Sequence, residues 1–209
     1  LAYSPFLMKD MDKAVARIMR AWEQGEHITV YGDYDVDGMT ATSLLTRTLR
    51  KFGAKVDFYI PDRMTEGYGL NRRALEEIAE QSDLLITVDC GIASVADVAA
   101  VQGAGKLDII ITDHHLPGSE LPPACAVLNP HRADCPYPDK DLAGVGVAFK
   151  LCQALAAARS GKPWDGQSAS TDDLELVALG TVADIVPLRG ENRRIVKQGM
   201  ARMEATALP

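Results

Sequence analysis

Short apolar runs that each stop on an acid or an amide restrict this chain more than any other feature. His27-Ile28-Thr29-Val30, Leu84-Leu85-Ile86-Thr87-Val88, Leu107 to Thr112 and Ala124 to Leu128 are β-branched or leucine-rich and nearly unbroken. Such runs suit strands buried on both faces. A further run, Lys55 to Ile60, is closed by Pro61. Between them lie segments of helical spacing. Met11, Val15, Ile18, Met19 and Trp22 mark one within Asp10 to Glu23, and Leu44, Leu45 and Leu49 mark another within Ala41 to Lys51. Asn71 predicts the cap of a helix reaching about Gln81, and a further helix is expected from about Ser94 to Gln102. Alternating strands and helices predict an α/β fold, with a mostly parallel five-stranded sheet and helices on both faces.

Beyond Pro138 the pattern turns helical: Val145 to Ala158, Asp172 to Val182, and a last helix from about Glu191, with a polar loop over Gly161 to Thr171. Ser4-Pro5 predicts a short helical turn near the start. One domain is expected over 1–209, its sheet at about 24–138 and a helical part at about 139–209. Because the first residue is Leu and the end is abrupt, the chain reads as a piece of a longer protein.

In parallel sheets ligands bind at the carboxyl ends of strands. There this chain places Asp33, Asp35 and Asp37 after the first strand, Asp89 after the third, and Asp113-His114-His115 after the fourth. Gly32 and Gly38 let the backbone bend around the first cluster. Clustered carboxylates repel one another, and a divalent cation with oxygen ligands relieves that repulsion. An aspartate in a strand-to-helix turn also caps the helix, and both readings stand for this loop. Asp184, alone among apolar neighbours, is either a local cap or a further ligand, because an unpaired buried carboxylate is costly. Tyr68, in the glycine-flanked loop Asp62 to Asn71, is either an exposed ring open to stacking or an anchor for the loop. His115 either meets a substrate or is a hydrogen-bonded neighbour, and His131 stands near the fifth strand end.

Composition bounds the function. The net charge of −7 argues against a global basic field for gripping nucleic acid, although metal-binding aspartates enter that sum as bare charges. A local basic strip has Arg63, Arg72, Arg73, Arg132, Arg189, Arg193 and Arg194 as candidates. No apolar run has membrane length and no basic-then-apolar leader is present, so no membrane partner is expected and the cytoplasm is the expected location. Cys90, Cys125, Cys135 and Cys152 have neither zinc spacing nor a disulfide framework and are expected as free thiols. Gly144-Val145-Gly146 lacks a preceding strand and the third glycine of a dinucleotide fingerprint, and no G-x-x-x-x-G-K-[ST] or G-x-S-x-G occurs.

Taken in order, Asp33-x-Asp35-x-x-Gly38, Val88-Asp89, Asp113-His114-His115 and Gly180-Thr181-Val182-Ala183-Asp184 resemble the four motifs of the DHH phosphoesterases. The wording of Gly32 to Gly38, Glu66-Gly67-Tyr68-Gly69, Val88 to Gly91, Asn129-Pro130 and Gly144 to Lys150 is similar to that family's bacterial single-strand-specific 5′→3′ DNA exonucleases. The likeness runs from about Phe6 to the end. It implies a two-ion Mn²⁺ or Mg²⁺ site held by Asp33, Asp35, Asp89, His114 and Asp184, with Asp89 bridging. Asp37 and Asp113 are implied as orienting partners, and His115, with Tyr68 and His131, as substrate-binding. Asp33, Asp35, Asp89, His114, His115 and Asp184 then form the catalytic set.

Many relatives with small substrates carry a His four residues before the first motif aspartate. Thr29 holds that place here, which predicts one ion held by fewer protein ligands. The resemblance further implies single-stranded DNA as partner in repair and recombination, with a single-strand-binding protein or a repair helicase beside it, and a substrate-clamp domain downstream of this chain. Two alternatives are hydrolysis of a small phosphate ester (an oligonucleotide remnant, cyclic dinucleotide or pyrophosphate) and a non-catalytic replication scaffold. Thr29 and the loop wording argue against the first, and the intact motif aspartates against the second.

Overall fold

The computed structural model describes residues 2–62, 64–105, 107–166, 173–206 and 208. Arg63, the loop end at Thr171 and the expected helix start at Asp172 lie outside the described residues. After a 3-10 turn at Pro5–Leu7, the chain runs through α1 (Met11–Gln24), β1 (His27–Gly32), α2 (Val36–Lys51), β2 (Lys55–Tyr59), α3 (Arg72–Ala79) and β3 (Leu84–Val88). It continues through α4 (Val95–Gly103), β4 (Asp108–Thr112), β5 (Ala126–Leu128), α5 (Gly144–Ser160), α6 (Leu174–Ala183) and α7 (Gly190–Met203).

Local chemistry sets the ends of these elements. Gly25, at φ +66°, stops α1 in the left-handed region. Asn71 caps α3 by accepting from Ala74 N at 2.8 Å. Helix α2 starts at Val36 rather than Ala41, because Asp35 caps it: Oδ1 accepts from Gly38 N at 2.8 Å. Asp37 and Gly38 therefore belong to the first helical turn, not to a loop.

All strand pairs are parallel, in the order β2-β1-β3-β4-β5. The order reverses between β1 and β3, which is where open α/β sheets form their ligand crevice. Register then aligns the strand ends. Gly32 pairs with Val88, Val88 with Thr112, and Thr112 with Leu128. Asp33, Asp89, Asp113 and Asn129 each come next, so they stand on neighbouring strands about 4.8 Å apart.

Alternate strand residues feed two cores. Val30, Ile86, Ile110 and Leu128 pack with α1, α2 and α5, while Tyr31, Leu85, Ile109 and Ile111 pack with α3 and α4. Leu174, Val177 and Ile195 share the first core, so the helical part is continuous with the sheet. Asp173 ties α6 to α2 by accepting from Arg47 at 2.9 and 3.1 Å and from Lys51 at 3.3 Å. A buried Lys150–Glu191 pair joins α5 to α7. It also holds Tyr3, whose N–H donates to Glu191 at 3.1 Å and whose carbonyl accepts from Lys150 at 3.1 Å.

The four cysteines are free thiols. Among the described residues no helix is long and apolar enough to cross a membrane. Several candidates for a basic strip are engaged in local pairs: Arg72 with Asp97, Arg73 with Glu77, Arg189 with Asp141, and Arg132 buried against Asp10 and Asp134. Arg193 and Arg194 are exposed on α7.

Candidate metal centre

Among the described residues, the strand ends, the first turn of α2 and the end of α6 bring carboxylates and imidazoles into three overlapping groups. These are Asp33, Asp35 and Asp89; Asp89, His114 and His115; and Asp37, His114 and Asp184. Within each group the donor atoms lie within 4.8 Å of one another. Asp89 and His114 each belong to two groups. His114 Nε2 is 3.1 Å from Asp89 Oδ1 and 3.6 Å from both Asp37 Oδ2 and Asp184 Oδ2.

Asp37 requires a correction. The resemblance implies an orienting partner, but its early place in α2 puts its carboxylate into the donor set. The same carboxylate accepts from Gly144 N at 2.7 Å and Val145 N at 2.8 Å, which seats it under the N-terminus of α5. Thr29 requires another. Its Oγ1 bonds Ser82 Oγ at 2.6 Å near the amino end of β1, about 10 Å of strand before the rim, so the residue there has no bearing on the ions.

Asp113 sits beneath the two histidines. Wholly buried, its Oδ1 accepts from His114 N at 2.8 Å and from the His115 ring at 2.7 Å, while Oδ2 accepts from Ile92 N at 3.0 Å. One carboxylate thereby orients both histidines and fastens them to the loop after β3. His115 is half-exposed beside Tyr68, whose hydroxyl lies 3.2 Å from Nδ1. Glu66 holds the loop that carries Tyr68, accepting from Tyr59 Oη at 2.5 Å, Asp62 N at 2.8 Å and Asn71 Nδ2 at 3.2 Å. His131 donates its backbone N–H to Asn129 Oδ1 at 2.8 Å. Burial first, and then the nearby His114, push its ring below the ordinary histidine value.

Asn129 has a role that no motif assigns. It is fully buried and its Nδ2 donates to His115 O at 2.9 Å, clamping the histidine segment to the end of β5. The signal was present, since Asn129 follows its strand as Asp89 and Asp113 follow theirs.

The electrostatics describe a site built for cations. Burial, and then the Asp89 charge, push Asp37 up to about 8; burial, and then Asp35 and Asp113, push Asp89 up to about 9. Asp33 and Asp184 are also raised, first by burial. The hydrogen bond to Asp113 raises His115 to about 9. Asp89 lies at φ +59°, and Ile185, directly after Asp184, also lies at φ +59°, where a β-branched residue is strained.

Asp89 Oδ1 and His114 Nε2 are buried and have no hydrogen-bond partner; close as they are, they are misaligned for bonding to each other. Buried polar atoms are seldom left so. Oxygen-rich donors with imidazole suit Mn²⁺ or Mg²⁺, so the residues present fit such ions.

Comparison with known proteins adds the family. Residues 27–181 match the DHH family, N-terminal domain. The single-stranded-DNA-specific exonuclease RecJ of Bacillus subtilis is 49% identical over 205 residues, covering 98% of this chain and 25% of that protein. A solved exonuclease RecJ bound to manganese superposes with a TM-score of 0.85 at 41% identity, over 96% of this chain and 49% of the other. RecJ of Thermus thermophilus in complex with Mg²⁺ aligns with a TM-score of 0.65 at 34% identity, over 96% of this chain and 24% of that one. The chain thus spans half or less of the length of each of these relatives.

Proposed function

This chain belongs to the DHH family, and on that premise we propose that it is the catalytic core of a metal-dependent exonuclease acting 5′→3′ on single-stranded DNA. The observation that carries the reading is the buried pair Asp89 Oδ1 and His114 Nε2, unpartnered at the centre of three donor groups. Relatives that span nearly all of this chain are named for single-stranded DNA and are solved with Mn²⁺ or Mg²⁺, which supports the substrate and the ions.

Asp33, Asp35, Asp37, Asp89, His114 and Asp184 would hold the ions. Bound there, a divalent pair supplies a water whose pKa is brought from about 15.7 toward neutrality, together with charge neutralisation at the phosphodiester. The chain's own residues do the rest. Gly144 N and Val145 N fix Asp37, and Asp113 fixes His114. His115 and Tyr68, exposed at the rim, meet the phosphate and an adjoining nucleotide, with His131 beside them. Protein partners that expose single strands, a single-strand-binding protein or a repair helicase, suit a cytoplasmic role in repair and recombination.

A long single strand labelled at either end, incubated with protein in excess and Mn²⁺, tests this reading. Mononucleotides should leave from the 5′ end, EDTA should stop them, and Asp35→Ala should lower the rate by at least about 10³-fold. Cleavage retained in Asp35→Ala, or a preference for a dinucleotide over the long strand, would refute it.

A further inference from the structure

Helix α5 begins without a capping side chain, since its cap position is Ala143. In place of a cap, its first two N–H groups donate to the two oxygens of Asp37. The first helical residue is Gly144, and its backbone does not need glycine, because it lacks a positive φ. Within a helix glycine is less favourable than alanine, so nothing local selects it. Space explains the choice. A Cβ on Gly144 would lie 2.5 Å from Asp89 Oδ1, 2.6 Å from its Cβ and 2.7 Å from its Cγ. Rotating the carboxylate tip cannot relieve contacts that reach back to Cβ.

Helix α6 repeats the device from another direction. A Cβ on Gly180 would lie 2.3 Å from Thr40 Oγ1, 2.8 Å from Val145 Cγ1 and 3.2 Å from Asp37 Oδ1. Bare backbone thus lets α5 close on Asp89 and lets α6 close on α2 and α5 beside Asp37.

We propose that Gly144 is a positioning residue for the metal centre: its missing side chain lets one helix N-terminus seat Asp37 while Asp89 stays wedged against His114. This rests on the metal-centre reading above. Gly144 touches no ion or substrate itself; it acts through Asp37 and Asp89.

The test is a Mn²⁺ titration followed by electron paramagnetic resonance, on the full chain and on Gly144→Ala. The substitution should weaken Mn²⁺ binding at least tenfold. Gly103→Ala, where a Cβ meets nothing within 4 Å, should leave it unchanged. Wild-type affinity in a folded Gly144→Ala chain would overturn the proposal.

A metal-free double-mutant cycle on melting temperature provides a second readout. Gly144→Ala should lower the melting temperature in the wild-type background, and should leave or raise it in an Asp89→Gly background. Failure of Gly144→Ala to fold, with recovery in the double variant, would support the proposal equally. Failure in both backgrounds would assign Gly144 to helix packing and overturn it. If the unsubstituted chain bound no Mn²⁺, the metal-centre reading would fall first, and this proposal with it.

Discussion

His114 Nε2 and Asp89 Oδ1 stand 3.1 Å apart, both buried, and neither has a hydrogen-bond partner. A buried polar group left so costs about 1–3 kcal/mol. Metal binding should therefore stabilise the fold as well as equip it. At a Mn²⁺ concentration about 100 times the Kd, linkage predicts roughly 2.7 kcal/mol, or roughly 5–10 °C in melting temperature for a chain of this size. Asp89→Asn should abolish that shift while melting higher than the unsubstituted chain without metal. Thermal scans with Mn²⁺ and with EDTA check both; an undiminished shift in Asp89→Asn would remove that residue from the site.

Proton linkage makes a separate prediction for the metal-free chain. Burial and neighbouring carboxylates raise Asp37 to about 8 and Asp89 to about 9, while Asp113 raises His115 to about 9. Ordinary values are about 3.9 for Asp and 6.5 for His, so the folded form holds these protons more tightly than the unfolded chain does. Stability then falls as pH rises: from about pH 4 for the carboxylates and about 6.5 for His115, up to about 9. Melting temperature in EDTA should drop between pH 5 and 9, most steeply above 6.5, and Mn²⁺ should flatten the drop. A melting temperature that climbed across this range would contradict the assignment.

His115 lies within donor reach of Asp89 and His114, yet it is half-exposed and its Nδ1 is held by Asp113. A residue that serves substrate rather than metal should separate two readouts. His115→Gln should keep Mn²⁺ affinity within about threefold and slow cleavage by at least about 10²-fold. A large loss of Mn²⁺ affinity would make the ring a ligand.

Further along α5, the buried Lys150–Glu191 pair joins α5, α7 and Tyr3. Removing one partner strands the other charge, which costs about 3–5 kcal/mol. Lys150→Met should lower the melting temperature by more than about 5 °C and leave cleavage at low temperature unchanged. A shift under about 2 °C would mean that the pair contributes little to the fold.

Much of this was legible before any coordinates, and the failures share one cause. Strand runs and their stops at Asp33, Asp89 and Asp113 were readable because alternation and breakers act over a few residues. Asn71 as a cap was readable for the same reason. Asp37 was misplaced because the start of α2 depends on which aspartate caps it, and three compete within five positions. Thr29 lacks the meaning that spacing along the chain suggests, because the site is organised across strands.

By itself the sequence determined the alternating fold, the strand ends that carry acid or imidazole, and the kind of ion such donors attract. All of these follow from local periodicity and side-chain chemistry. Only the tertiary structure decided which aspartates share a donor set, that Asn129 clamps the histidines, and why residue 144 has no side chain. Those outcomes depend on parallel register across four strands and on a helix N-terminus 107 residues from the aspartate it seats, and no window of local sequence carries either.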